Sequence, residues 1–184
     1  MTAMDKIDTI ISQWRRERPD LDSASIGIIG RLARLVTHVE RALADNFARF
    51  GLKDGEFDVL ATLRRAGAPY QLSPTMLYTT LLLTSGAISK RLDRLENAGW
   101  VERLPDPNDR RGMLIRLSPA GLELIEQAMS AHIATQEAAL SALAEPQREQ
   151  LAALLSQWLQ SFPGEAQAEP KLMPSLAPTE RKTS

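Results

Sequence analysis

Serine, lysine and arginine side chains suited to contacting a polyanion are concentrated between Thr84 and Gly121. They are Ser85, Ser89, Lys90, Arg94, Asp109, Arg110 and Arg111. At about 100° per residue, a helix through this segment places Leu92 and Leu95 close to Ile88 and turns Lys90 to the opposite side. A face of this kind could reach base edges or phosphates in a DNA major groove. An ordinary solvated helix face has a similar composition, so the helix alone does not decide between the two interpretations.

Local signals around these residues predict a helix, a β-hairpin and a second helix. Thr84 is a suitable N-cap and Gly99 a suitable left-handed C-cap, so the first helix is expected from about Ser85 to Ala98. Alternating apolar residues then predict two strands around the loop PDPNDRRG, with Ser118 and Pro119 starting the next helix. The strand residues are Trp100, Val101, Leu104, Met113, Ile115 and Leu117. This order is that of a winged helix, and the arginine-rich tip of the wing could reach the DNA backbone or minor groove.

The remaining chain is predicted to be helical. Apolar spacing predicts a short helix that ends before Pro19, a long one from Ser23 or Ser25 to Gly51, and a third up to Gly67. A fourth begins at Ser73 and precedes the 85–98 helix as a helix-turn-helix partner should. After the wing, one helix runs from Leu122 towards Leu143, and a last one carries Leu151, Leu154, Leu155, Trp158, Leu159 and Phe162. The predicted fold is mainly α with a small β-hairpin wing at 100–117.

The helices at the two ends carry more apolar surface than one small domain needs. We therefore expect a two-fold dimer built from the N- and C-terminal helices, which would place two recognition helices about 34 to 36 Å apart. The predicted organisation is an added N-terminal helix at 1–22, a winged helix-turn-helix with dimerisation helices at 23–162, and a disordered proline-rich tail at 163–184.

Composition narrows the class of protein. The net charge is −1, but seven basic and five acidic residues lie between Thr84 and Arg116, against four basic and eight acidic residues from Leu117 to Ser184. The chain has no cysteine, which excludes disulfides and thiolate metal sites. No apolar run of about 20 residues and no signal peptide pattern is present, so we expect a cytoplasmic protein that does not associate with a membrane.

An enzymatic role is disfavoured by the residues. His38 and His132 are isolated on long helices, and the acidic group Asp54, Glu56 and Asp58 lacks a metal-ligand partner. We therefore predict no catalytic residue, no metal site and no cofactor. A helical scaffold without DNA affinity stays open as an alternative, in which case the wing arginines would have no recognition role.

The segment PNDRRGMLIRLSPAG at Pro107–Gly121 resembles the wing motif of the MarR family of bacterial transcription regulators. The resemblance implies that Asp109 orients Arg111 and that Arg111 enters the minor groove. The stretches QWRRERPDLD at Gln13–Asp22 and FDVLATLRRAGAPY at Phe57–Tyr70 resemble the PecS-type, urate-responsive branch of that family. Together they imply a dimeric repressor that binds a palindromic double-stranded operator and is released by a small anionic aromatic ligand such as urate.

In that branch the ligand site uses a tryptophan, an aspartate and two arginines, which correspond to Trp14, Asp58, Arg91 and Arg103. The resemblance implies that the ligand disturbs a pair of Asp58 with Arg103 and shifts the recognition helix. Independently, Arg91 lies about 60° off the Ile88 stripe, so it can point away from the DNA face. Guanidinium groups match the oxygens of a flat anion. The alternative within the family is a repressor that senses a phenolic or other aromatic acid.

Structural roles for these four residues also stay open. Trp14 could be a plain core anchor that completes the stripe of its helix. Asp58 and Arg91 could form a static salt bridge between helices, and Arg103 could contact phosphate.

Overall fold

The computed structural model describes residues 4–53, 55–82 and 84–163, and its order of elements confirms the predicted mainly α fold with a small wing. The elements are α1 (Lys6–Glu17), α2 (Ala24–Arg49), α3 (Glu56–Arg65), β1 (Gln71–Leu72), α4 (Pro74–Thr80), α5 (Ser85–Asn97), β2 (Val101–Asp106), β3 (Asp109–Leu117), α6 (Pro119–Ala139) and α7 (Glu145–Leu159).

 Of the tail predicted at 163–184, all but Pro163 lies outside the described residues. No helix in the described ranges is both long and apolar enough to cross a bilayer.

The helix starts follow the predicted caps. The Thr84 hydroxyl accepts the Ala87 backbone N–H at 3.3 Å, and the Ser118 hydroxyl accepts the Gly121 N–H at 3.0 Å. At the other end of α5, Gly99 has a φ of +75°, the left-handed conformation expected after a helix. The recognition helix therefore begins where the sequence predicted and ends one residue earlier. Helix α6 stops at Ala139, short of the predicted Leu143.

The three strands form an antiparallel sheet in the order β1-β3-β2. Val101 lies opposite Leu117, and the ladder continues to Asp106 opposite Asp109. The prediction of a loop over the whole of PDPNDRRG is wrong, because the ladder runs into this segment from both sides and leaves only Pro107 and Asn108 in the turn. The sheet also includes β1, which was not predicted because two residues are too short to show alternation.

The buried core lies between the helix-turn-helix, the sheet and the start of α6. Its largest fully buried apolar side chains are Leu60, Leu63, Leu77, Ile88, Leu95, Ile115 and Ile125. At Gly121 the first turn of α6 approaches the wing so closely that a Cβ would lie 1.9 Å from the Trp100 carbonyl oxygen. The wing and α6 are therefore in direct backbone contact, which fixes the base of the hairpin on the core.

Helix α1 packs on α2 through small residues and charges. A Cβ at Gly30 would lie 3.1 Å from Ile7 Cδ1, so the glycine lets α1 approach. The Arg31 guanidinium binds Asp5 at 2.8 Å and Asp8 at 2.6 Å, and it lowers the pKa of the Asp5 carboxyl group. These contacts hold α1 on the first turns of α2.

Helix α7 contrasts with the rest of the chain because none of its residues is buried. Arg148 joins it to Glu137 of α6 at 2.7 Å. A cleft of about 640 Å³ separates α7 from the N-terminal half of α2. Apolar side chains line it on both sides: Ile28, Ile29, Leu32, Leu35, Leu151, Leu154, Leu155 and Trp158.

Candidate nucleic-acid interface

The N-terminal half of α5 presents a polar surface to solvent. Ser85, Ser89 and Lys90 are exposed, and the Ser89 hydroxyl donates to the Ser85 carbonyl oxygen at 2.9 Å. A Cβ at Gly86 would meet no atom within 4 Å, so no contact with the rest of the described chain requires glycine there. Hydroxyl groups, an ammonium group and uncovered backbone therefore lie together on this half of the helix, and a duplex could approach it closely.

Arg94 does not share this outward orientation. Its Nε lies 2.8 Å from Glu56 Oε1, and its Nη2 donates to Glu56 Oε2 at 3.2 Å. The Glu56 side chain is only 2% exposed. The prediction that Arg94 lies on the outward face is wrong for its guanidinium group, because a buried carboxylate requires a charged partner and Arg94 supplies it.

The wing tip carries two exposed arginines, Arg110 and Arg111. The Asp109 carboxylate accepts the backbone N–H of Arg111 at 2.9 Å. Asp109 therefore constrains Arg111 through its main chain, which agrees in direction with the orienting role that the family resemblance implies. The turn before it is stabilised in the same way, since Asp106 accepts the Asn108 N–H at 2.9 Å.

Arg103 on β2 is held by the recognition helix. Its guanidinium binds Asp93 at 2.5 Å and also pairs with Glu96. The hydrogen bond with Asp93 raises the pKa of Arg103 above its ordinary value. The expected pair of Asp58 with Arg103 is therefore wrong, because two carboxylates on α5 occupy the Arg103 guanidinium. This contact joins α5 to the wing.

The Arg91 guanidinium, which extends from α5, and Asp58 both lie near the beginning of α3. A Cβ at Gly55, the residue before α3, would lie 2.5 Å from Arg91 Nε, so the Arg91 guanidinium rests against this backbone. The Arg91 side chain is therefore directed towards α3, on the flank of α5 that the helical angle indicated. Asp58 is exposed in the first turn of α3. It lies near enough to His132 of α6 to oppose the lowering of the His132 pKa that burial causes.

His132 belongs to a stack of rings where α2, α3 and α6 meet. Its imidazole lies 4.7 Å from the Phe57 ring and 5.6 Å from the Phe47 ring, measured between centroids. Trp14 lies elsewhere, on α1, where 47% of the residue is exposed while Ile7 and Ile11 are buried. Within the described chain Trp14 is thus not a core anchor, and its indole is available for a further contact.

The described residues show no group of three or more histidine, aspartate and glutamate side chains placed to hold a metal ion. The arrangement they do show is a helix-turn-helix whose second helix exposes polar side chains beside an arginine-tipped hairpin. That combination defines the winged helix-turn-helix class of DNA-binding proteins.

Comparisons with known proteins agree with this class. Residues 50–112 match the model of the MarR family. The chain is 41% identical to the HTH-type transcriptional regulator PecS of Dickeya dadantii over 150 residues. This match covers 82% of this chain and 90% of PecS. Over 100 residues the chain is 38% identical to the multiple antibiotic resistance protein MarR of Salmonella typhimurium, covering 54% of this chain and 67% of that protein. The chain therefore belongs to the MarR family of DNA-binding transcriptional regulators.

Solved structures support the same assignment. A mutant MarR from E. coli in complex with operator DNA has a TM-score of 0.62 and 28% identity, over 79% of this chain and 97% of that chain. The regulator AbsC from Streptomyces coelicolor, at 22% identity, shares the fold with a TM-score of 0.67 over 75% of this chain and 93% of its own.

Proposed function

We propose that this protein is a repressor that binds a near-palindromic operator as a homodimer and is released by urate or a related purine. The observation that carries the proposal is the exposed half of α5, with Ser85, Ser89 and Lys90, beside the exposed wing arginines Arg110 and Arg111. The helix would read base edges in the major groove, and the wing would contact the backbone or minor groove. Asp109 would hold the Arg111 main chain for that contact.

The dimer is supported by the apolar cleft between α2 and α7. Helix α7 buries none of its own residues, and Leu154, Leu155 and Leu159 are each more than one third exposed. Exposed apolar surface on this scale is typical of an interface. A second copy of the chain, related by a two-fold axis, would cover the same surface on both subunits and bring two recognition helices to one face of the duplex.

The ligand site is proposed to include Trp14, Asp58, Arg91 and Arg103. Support comes from the positions of the two arginines: the Arg91 side chain of α5 rests against the start of α3, and Arg103 of β2 holds Asp93 and Glu96 of α5. An anion that takes the Arg103 guanidinium would compete with these two carboxylates. Release of α5 from β2 would then change the angle between the recognition helix and the wing, which lowers operator affinity.

A gel-shift titration of urate against the preformed operator complex tests this function. The operator is first recovered by sequencing the intergenic DNA that the protein retains. Arg91→Ala and Trp14→Ala should bind operator but respond weakly to urate, whereas the exposed neighbour Arg15→Ala is a control that should respond normally. Because coupling is reciprocal, urate that weakens operator binding about tenfold must itself bind about tenfold more weakly to the complex.

Two results would change the proposal. Release by a phenolic acid, with no response to urate at millimolar concentration, would favour the alternative of an aromatic-acid sensor. A protein that retains no duplex at moderate salt would instead favour a scaffold without DNA affinity.

A further inference from the structure

A buried carboxylate lies against the recognition helix. Glu56, in the first turn of α3, has a side chain that is only 2% exposed. One of its oxygens accepts the Lys53 backbone N–H at 2.8 Å, and both accept hydrogen bonds or charge contacts from Arg94 at 2.8 and 3.2 Å. Arg94 is therefore the cation that compensates the charge of Glu56 in the described chain.

The geometry of this pair restricts the rotation of α5. A guanidinium that meets both oxygens of a carboxylate is fixed in direction as well as in distance. Glu56 is itself held, because it closes the start of α3 through the Lys53 N–H. The two-point contact therefore fixes the Arg94 side of α5 relative to α3 and the core.

Arg94 is also the helical neighbour of the residue proposed to contact DNA. Lys90 precedes it by four residues, so the two side chains leave α5 on nearly the same side. A rotation of α5 that carried Arg94 away from Glu56 would turn Lys90 and Ser89 by the same angle. By restricting the rotation of α5, the ion pair of Arg94 with the buried Glu56 carboxylate therefore also restricts the direction in which Lys90 leaves the helix.

We propose that Glu56 and Arg94 position the recognition helix for operator contact, and that Arg94 acts through Glu56 without touching DNA. The inference rests on the proposed operator binding. It differs from the sequence-based expectation, in which Arg94 is itself a DNA contact. It also gives the acidic residue Glu56 a role in DNA affinity, although it lies outside the recognition helix and the wing.

A double-mutant cycle distinguishes positioning from contact. Glu56→Gln, Arg94→Gln and the double variant are compared by fluorescence anisotropy on the operator duplex, over a salt series and at a temperature at which circular dichroism shows every variant folded. Lys90→Gln is the matched control for a direct contact on the same helix. Arg94→Lys and Glu56→Asp, which keep both charges but lose the two-point contact, complete the same cycle if a glutamine variant fails to fold.

We expect each single variant to weaken operator binding about tenfold. The double variant should bind operator no more weakly than the weaker-binding single variant, because each substitution removes the same ion pair. The salt slope should stay that of the wild type, whereas Lys90→Gln should reduce it by about one. The proposal is overturned if Arg94→Gln reduces the slope by about one and adds to Glu56→Gln, because Arg94 then contacts DNA. It is equally overturned if the variants melt earlier but bind operator as the wild type does. If the wild type shows no preference for any duplex, the proposed function fails and the positioning role fails with it, whereas a failure of the positioning role alone appears only in the variants.

Discussion

The winged core and the terminal helices of this chain satisfy their apolar side chains in different ways. In the core, Leu60, Leu63 and Ile125 are fully buried among elements of the same chain. In the terminal region, Ile28 of α2 is 65% exposed and Leu154 of α7 is 56% exposed, on opposite sides of one cleft. The core therefore buries its apolar side chains within one chain, whereas the terminal helices leave apolar surface exposed that only a further contact would cover. We propose that a second copy does so.

The largest effect should come from removing α7. A chain cut near Pro146 loses one wall of the cleft, so both the dimer and operator binding should be abolished. A chain cut after Pro163 keeps α7 and should behave as the full-length protein does. Light scattering and gel-shift measure the two properties, and a stable dimer from the shorter chain would show that α7 is not the interface.

A matched pair of leucine truncations should separate the two regions. Leu60→Ala leaves a cavity in the core and should lower the free energy of unfolding by about 2–5 kcal/mol. Leu154→Ala, on the cleft side of α7, should change the stability of the monomer little but raise the dissociation constant of the dimer. Urea unfolding and sedimentation equilibrium give these quantities, and equal losses of unfolding free energy in both variants would remove the contrast between core and cleft.

A smaller effect is expected at the wing tip. Arg111→Ala should weaken binding to all duplexes to a similar degree and reduce the salt slope by about one unit, because one phosphate or minor-groove contact is lost. Substitution of Ser89 should instead change which bases are preferred, if its hydroxyl reaches a base edge. Binding curves for Arg111→Ala that match the wild type across the salt series would exclude the wing from recognition.

The smallest effect concerns pH and the seam between the two regions, where His132 stacks on Phe57 of the core and Phe47 of α2. Burial lowers the pKa of His132 below its ordinary value of 6.5. The folded state thus favours the neutral imidazole. The contribution of His132 to the free energy of unfolding is complete above pH 6.5 and is lost as the pH falls through its lowered pKa. The unfolding free energy of the wild type should therefore fall more on acidification than that of His132→Gln, as urea titrations at several pH values would measure. Parallel pH profiles would contradict this assignment.

Sequence reasoning was most successful where the determining interactions are local. The end of α1 before Pro19, the start of α4 after Ser73 and the span of α5 follow from caps and apolar spacing within a few residues. Thr84 and Ser118 cap as expected. Strand β1 could not be found in this way because its pairing with β3 is non-local.

The partners of long charged side chains were not predictable from helix angles. The helical angle of a residue gives the direction of its Cα–Cβ bond. The guanidinium of Arg94 lies several bonds beyond that bond and turns back to the buried Glu56. The same reason applies to Arg103, for which Asp93 and Glu96 are available on the adjacent helix. An acidic residue directly after Gly55, in the first turn of a helix with an otherwise apolar face, was the one signal in the sequence for the Glu56 site.

Changing the spacing of the half-sites tests whether two recognition helices held by a dimer bind both half-sites at once. The affinity of the full-length protein is measured for its operator and for the same operator lengthened at its centre by about half a helical turn, or about 5 bp. Half a turn moves one half-site to the opposite side of the duplex, where the second recognition helix of the dimer cannot reach it. We therefore expect a loss of affinity of at least about a hundredfold. Equal affinity for the two duplexes would contradict it.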